Sequence, residues 1–399
     1  MSARSRTTVL AASLVLALAA GPLAAPAFAA PAPHRAAAQG TDTQCTDAQG
    51  TDAQGTDAPD REALRAALKG LPDKDATAAL VRVGGTGGSW RGSAGVRDLE
   101  SGRPADPDAR FRAGSTTKVV TAAVVLQLAA ERRVDLNAPV QRYLPGLLGE
   151  DFLPITVRQL LNHTSGIQPG DGLGDSFEEL YEHRFEHQAP REVVASAAAK
   201  GPEFDPGDQQ HYLNINYTIL GLLIEKVTGH SYASETARRV FRPAGMHHTY
   251  FPGTDARIHG PHNRGYQAVQ RPDGTTELVD VTDWIPADEA AGGMISTTAD
   301  LERLVTHLFH GDLVPEPQLR EMFTLPPKIT GAVMTAGLMR YEYEGTVYWL
   351  KTGARYGYST MIGATCDLSR TLVYSVNSTD AKGEGMNPVA ARIAQAALK

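Results

Sequence analysis

The 399-residue sequence has only two cysteines, Cys45 and Cys366. That excludes a disulfide scaffold and a cysteine-rich metal site. Positive charge is also scarce: 38 Lys and Arg stand against 45 Asp and Glu, a net charge of −7. No basic stripe, Cys/His finger or aromatic-basic run interrupts this balance, so there is no electrostatic hold on a phosphate backbone and no nucleic-acid partner is expected. Long apolar runs are missing too. No segment offers 18 uninterrupted apolar residues, so no membrane span is expected. What remains is 42% hydrophobic, enough to bury a sizeable core in one large domain or two smaller ones.

The first 29 residues read as a secretory signal rather than as part of a fold. Arg4 and Arg6 precede an apolar run from Val9 to Ala20, and Ala27-Phe28-Ala29 supplies a small-x-small cleavage pattern. The mature chain is therefore expected to be secreted and extracellular. Residues 30–60 form a low-complexity linker in which Thr46-Asp47-Ala48-Gln49-Gly50 repeats as Thr51-Asp52-Ala53-Gln54-Gly55. Such a composition cannot build a core. Cys45 lies in this linker; an intrachain disulfide with Cys366 and a free or intermolecular thiol fit the sequence equally well.

Residues 61–399 should form one α+β unit. A helix begins after Asp60, and Ala78–Val83 with Ser89–Val96 predict a hairpin around the Gly84–Gly88 run. From 115 to about 289 the signals are mostly helical, including an all-round apolar helix from Ser115 to Glu131 and another over Tyr217–Val227. Thr298–Phe309 predicts a further helix, and strands follow after Gly337, at Tyr341/Tyr343, Val347/Trp349, Tyr358–Cys366 and Thr371–Ser378, before a helix from Pro388. The economical assembly is an antiparallel sheet built from both chain ends, about 61–114 and 290–399, with the helical insert beside it and a cleft between.

Three short motifs carry chemistry. In Ser115-Thr116-Thr117-Lys118 the hydroxyl and the amine share a helix face, so a lysine whose pKa is lowered could deprotonate the serine. In Tyr212-Leu213-Asn214 a phenol near cations can relay protons and the amide can hold a substrate carbonyl. In Lys351-Thr352-Gly353 a cation and a hydroxyl can hold a carboxylate, while the glycine admits a substrate backbone against the strand. Each has a bland reading when taken alone: a helix cap, a buried tyrosine by a turn, a strand end.

Their joint occurrence in this order resembles the penicillin-recognising serine hydrolases, comprising serine β-lactamases and D-alanyl-D-alanine carboxypeptidases. The tyrosine motif is similar to the class C branch; Ser375-Val376-Asn377 falls in the wrong order for class A. Phe111-Arg112-Ala113-Gly114, Leu160 to Gly166, Asn216 to Gly221 and Gly292 to Thr297 also resemble family stretches. The resemblance implies a β-lactamase/transpeptidase-like fold and an acyl-enzyme formed on Ser115, with Lys118 and Tyr212 sharing base and proton-shuttle roles. The backbone N–H groups of Ser115 and Ala354 would form the oxyanion hole. Asn214 would hold a substrate amide, Lys351 and Thr352 its carboxylate, and Gly353 would admit its backbone. Arg340, in Gly337-Leu338-Met339-Arg340, would grip a terminal carboxylate as in the secreted D,D-carboxypeptidases. Those relatives often carry His where Lys351 stands, so the resemblance leaves carboxypeptidase, class C-like β-lactamase and esterase or D-aminopeptidase readings open. It implies no cofactor, and peptidoglycan stem peptides and β-lactams as partners. A non-catalytic cell-wall sensor would be expected to lack one of the motifs, and all three are intact.

One decoy stands apart. His183-Arg184-Phe185-Glu186-His187 matches an inverted zinc-hydrolase spacing, but the segment from Ser176 is rich in charge and reads as a solvated helix. No metal is expected there.

Overall fold

The computed structural model describes Cys45 and residues 58–398. The expected signal segment 1–29, the linker up to residue 57 apart from Cys45, and Lys399 lie outside the described residues. The strands run β1 (Ala76–Gly84), β2 (Trp90–Gly95), β3 (Phe111–Arg112), β4 (Tyr266–Gln270), β5 (Thr276–Asp280), β6 (Ile295–Ser296), β7 (Met339–Tyr343), β8 (Thr346–Arg355), β9 (Tyr358–Thr365) and β10 (Thr371–Ser378). Six of them form one antiparallel sheet in the order β2-β1-β10-β9-β8-β7. The two chain ends meet at the β1–β10 pairing, as the sequence pattern anticipates. β10 is buried along its whole length, as a central strand covered on both faces must be.

Helices α1 (Arg61–Leu68) and α2 (Thr117–Ala130) come first; α3 (Val157–Leu161), α4 (Phe177–Glu182), α5 (Pro190–Ala199), α6 (Asn214–Thr228) and α7 (Tyr232–Thr236) make up most of the insert. α8 (Glu289–Gly292), α9 (Thr298–Phe309), α10 (Glu316–Leu319) and α11 (Pro388–Ala397) complete the chain. The Asp60 carboxylate caps α1 by accepting from the N–H groups of Glu62 and Ala63, satisfying two donors that the helix itself cannot. α1 and α11 cover one face of the sheet through Leu64, Leu68, Val389 and Ile393. The other face packs against α9 through Leu304, and α2 and α6 extend this core through Val119, Leu126 and Leu220. Each apolar side chain buried this way contributes roughly 1.5–3 kcal/mol.

Two expectations are corrected, and one is filled in: the span 115–289, expected to be mostly helical, also holds β4 and β5 as a two-stranded hairpin. β5 is largely solvent-facing, so it carries no apolar alternation to announce a strand. The helix expected from Ser115 begins as a tight 3-10 turn over Gly114–Thr116 and becomes α-helical only at Thr117. Gly114 takes φ +54°, and a Cβ there would lie 2.7 Å from the Ala354 nitrogen; the turn is set by close approach to β8. The expected helix over 176–187 ends at Glu182, so His183 and His187 do not share a helix face, and His183 Nδ1 instead meets Glu186 Oε1 at 2.7 Å.

The cysteine alternatives are resolved in favour of the intrachain disulfide Cys45–Cys366. Its sequence separation of 321 residues closes a loop around nearly the whole folded unit, the type of cross-link that most restricts an unfolded chain.

Candidate active site

The fold brings the three motifs together. Ser115, Tyr212, Lys351, Thr352, Gly353 and Ala354 line one cavity of about 150 Å³ at the end of β8. β7 pairs only with Thr346–Leu350, which leaves the outer edge of β8 open from Lys351 onward. The Ser115 turn packs against this stretch. Thr360 Oγ1 donates to the Ala113 carbonyl at 2.8 Å, and a Cβ on Gly353 would come within 2.9 Å of the Ser115 nitrogen. The nitrogens of Ser115 and Ala354 thus lie at one seam, the arrangement an oxyanion hole requires.

α2 carries Lys118 into the interior. Eleven of its 14 residues are buried, so an ammonium on this helix needs local acceptors. Lys118 Nζ finds Asn214 Oδ1 at 2.7 Å, the Ala291 carbonyl at 2.8 Å and Ser115 Oγ at 3.3 Å. Burial first, and then repulsion from Lys351, holds its pKa well below the usual lysine value. Asn214 opens α6 and is spent on Lys118 through its oxygen, while its Nδ2 bonds to nothing among the described residues.

Tyr212 stands between the two lysines, with Nζ of Lys118 5.0 Å and Nζ of Lys351 4.7 Å from its ring centroid. Its phenol oxygen is buried without a well-formed hydrogen bond. Burial pushes the phenol pKa up, and the nearby Ser115 hydroxyl works against that rise. Lys351 is 4% exposed. Its ammonium donates to the Thr352 carbonyl at 2.9 Å and makes no ion pair among the described residues. Burial lowers it to about 7.

Arg340 is not brought to this cavity. It lies on β7 opposite Trp349, and its guanidinium meets Glu342 at 3.1 Å. The preceding residue, Met339, is the one that lines the cavity, and successive strand side chains point to opposite faces.

The motifs alone miss three contributors. His163 is buried at φ +62°, and its ring centroid lies 4.6 Å from that of Tyr212. Its Nδ1 accepts from Leu213 N at 3.4 Å and stands 3.3 Å from Asn216 Nδ2, which fixes the backbone that carries Tyr212. Burial, then Lys118 and Lys351, keep this imidazole neutral, with a pKa well below the usual histidine value. Asp288 and Arg355 pair at 2.6 Å, and Arg355 Nε also donates to the Gly292 carbonyl. This ion pair clamps the end of β8 to α8, the helix that supplies the Ala291 carbonyl. His163 could have been noticed as the single histidine inside the Leu160–Gly166 stretch; nothing local marks the other two.

A serine hydrogen-bonded to a depressed lysine, a tyrosine at its side and paired backbone N–H groups are the parts a serine hydrolase's site is built from. The chain belongs to the Beta-lactamase family, which matches residues 63–396. Penicillin-binding protein 4* of Bacillus subtilis is 27% identical over 308 residues, 72% of this chain and 65% of that protein. Protein flp of Staphylococcus aureus is 29% identical over 216 residues, 53% of this chain but only 41% of flp, so the chain matches well under half the length of that relative. A D-stereospecific amidohydrolase from a Streptomyces species has the same fold, with TM-score 0.74 and 31% identity over 85% of this chain and 98% of that one. No helix among the described residues is long and apolar enough to cross a membrane.

Proposed function

We propose that the chain is an exported D,D-carboxypeptidase that removes the terminal residue from the D-alanyl-D-alanine end of peptidoglycan peptides, and that β-lactams acylate it at Ser115. The observation that carries this reading is Lys351: a buried ammonium without an ionic partner among the described residues, in the same cavity as the nucleophile. A buried cation of this kind is costly unless an anion completes it. The free carboxylate of a peptide's last residue, on the leaving-group side of the scissile bond, supplies that anion.

The mechanism follows from the donors already committed. A neutral amine has two N–H groups and one lone pair. On Lys118 the Asn214 and Ala291 oxygens take the two N–H groups, so the lone pair faces the Ser115 hydroxyl. Lys118 accepts the Ser115 proton as Oγ bonds to the carbonyl carbon. The oxyanion forms against the N–H groups of Ser115 and Ala354. Tyr212, whose phenol is kept protonated by burial, passes a proton to the leaving nitrogen as the C–N bond breaks and regains one from Lys118. Water then attacks the ester by the reverse proton path.

A second reading has one specific support, the 31% identity to the D-stereospecific amidohydrolase across nearly all of that chain: release of ammonia or an amine from D-amino acid amides. Incubation with a penicillin, followed by intact mass and antibiotic hydrolysis, tests the acyl-enzyme. A lasting adduct on Ser115 with slow hydrolysis is expected; rapid turnover without adduct replaces carboxypeptidase by β-lactamase. Release of D-alanine from a peptide ending in D-alanyl-D-alanine, measured beside ammonia release from D-alanine amide, separates the two readings. Export rests on Arg4, Arg6 and the Val9–Ala20 run, and sequencing the N-terminus of the protein from culture medium checks it, with a start at Ala30 expected.

A further inference from the structure

Two more cavities adjoin the Ser115 site. One of about 220 Å³ is lined by Tyr212, Asn214, Asp288 and Arg355. The next, about 170 Å³, shares Arg355 and Ala287 with it and continues between Arg112, Trp284, Tyr356 and Lys382. Lys351 and Thr352 line only the Ser115 cavity, and Asn214 only the first of these two. For a substrate that places its leaving group by Lys351 and its acyl-side amide by Asn214, the boundary at Ala287 and Arg355 opens a route toward Lys382.

The far cavity is short of negative charge. Arg112 is buried and donates to the carbonyls of Thr282 and Ala256, which are neutral. Lys382 makes neither a hydrogen bond nor an ion pair among the described residues. Asp288 is the acid that acts on it, yet Asp288 already holds Arg355 at 2.6 Å and also faces Lys118. One carboxylate thus serves three cations. The other acids nearby lie outside this set: Asp283 acts on Arg112, and Asp380 and Glu178 act on the Tyr356 phenol. Partial burial beside Arg355 lowers the Lys382 ammonium to about 8, so it is still mostly charged at neutral pH. The walls include two aromatic rings, Trp284 and Tyr356, stacked at 5.1 Å between centroids, and Phe177 backs Tyr356 edge-on at 5.0 Å.

We propose that this cavity selects substrates whose acyl side ends in a carboxylate on an aliphatic stem, the carboxylate meeting Lys382 and Arg355 and the stem lying on Trp284 and Tyr356. The proposal rests on the acyl-enzyme reading and names the acyl half of its substrate. The test compares glutaryl-D-alanyl-D-alanine with its neutral isostere, glutaramyl-D-alanyl-D-alanine. The intact enzyme should favour the glutaryl peptide about tenfold in kcat/KM, the effect of one charge-assisted hydrogen bond. In Lys382→Met the ratio should fall to near one, and in Lys382→Arg it should persist. A ratio near one in the unmodified enzyme, or one untouched by Lys382→Met, overturns the proposal. The same acyl groups on D-alanine p-nitroanilide separate the two claims: a retained glutaryl preference without release of D-alanine from the dipeptides defeats the carboxypeptidase reading and leaves the cavity assignment standing. No turnover with either leaving group defeats both.

Discussion

Lys118 and Lys351 approach the same tyrosine ring at nearly equal distances, 5.0 and 4.7 Å, and both are buried. Their surroundings differ in one respect. Lys118 is held by oxygens from α6 and α8 in addition to Ser115, whereas among the described residues Lys351 reaches only the carbonyl of its own neighbour, Thr352. A base must be neutral and fixed, so its N–H groups are satisfied by protein. A binding group must keep donors unspent, so its groups face the cavity. Similar burial thus yields two different reagents, and the hydrogen-bond inventory separates them where distance to Tyr212 does not.

Replacing each lysine by methionine is the strongest way to break this comparison. Lys118→Met should lower acylation of Ser115 by about 10³–10⁴-fold whatever the leaving group, because general-base assistance is lost. Lys351→Met should cost roughly 10–100-fold on a peptide ending in a carboxylate, the scale of one charge-assisted hydrogen bond, and much less on a p-nitroanilide. Rapid-quench mass spectrometry reads the first and steady-state kcat/KM the second. Equal losses for both variants on both leaving groups would erase the distinction.

The pH profile sharpens it further. Activity requires Lys118 without its proton and Lys351 with one. The ascending limb of kcat/KM should lie well below the usual lysine range because Lys118 is depressed, changing up to about tenfold per pH unit. For a carboxylate-ended substrate a descending limb should follow above about 7, where Lys351 loses its charge. The p-nitroanilide should show the ascending limb alone. A descending limb on both substrates would assign that proton elsewhere.

Stability gives a smaller contrast. Between about pH 7 and the unfolded lysine value of 10.5, the unfolded chain holds a proton at Lys351 that the folded chain lacks. Stability therefore rises with pH through that window. Lys351→Met removes this cost and should raise Tm by a few degrees at pH 7 in calorimetry, with the gain fading toward pH 10.5. Lys118→Met should gain less, since it leaves the buried Ala291 carbonyl without its donor.

What the sequence revealed follows the range of the interactions involved. Ser115 with Lys118, Tyr212 with Asn214, and Lys351 with Thr352 are legible because each pair is set by a spacing of three residues or fewer along the chain. The bounds of α9 and β10 match expectation because burial imposes helical periodicity on one and a short apolar and aromatic cluster, Leu372-Val373-Tyr374, on the other. His163 and the Asp288–Arg355 clamp act across 49 and 67 residues, and no local pattern encodes such meetings. The disulfide stayed open for the same reason: the repeat that follows Cys45 holds no large apolar residue to place it against the core.

Arg340 is the smallest test and bears on how a strand is read. A shift of one residue sends a side chain to the opposite face, so placing an arginine on β7 does not establish where it points. Met339 lines the Ser115 cavity, while Arg340 pairs with Glu342 on the same strand and keeps its side chain 30% exposed. An exposed pair of this type contributes little to stability. Arg340→Ala should therefore change kcat/KM by less than about twofold on carboxylate-ended and neutral leaving groups alike. A selective loss of tenfold or more on the carboxylate-ended peptide would return Arg340 to the site and take from Lys351 its part as the cation that meets the leaving group.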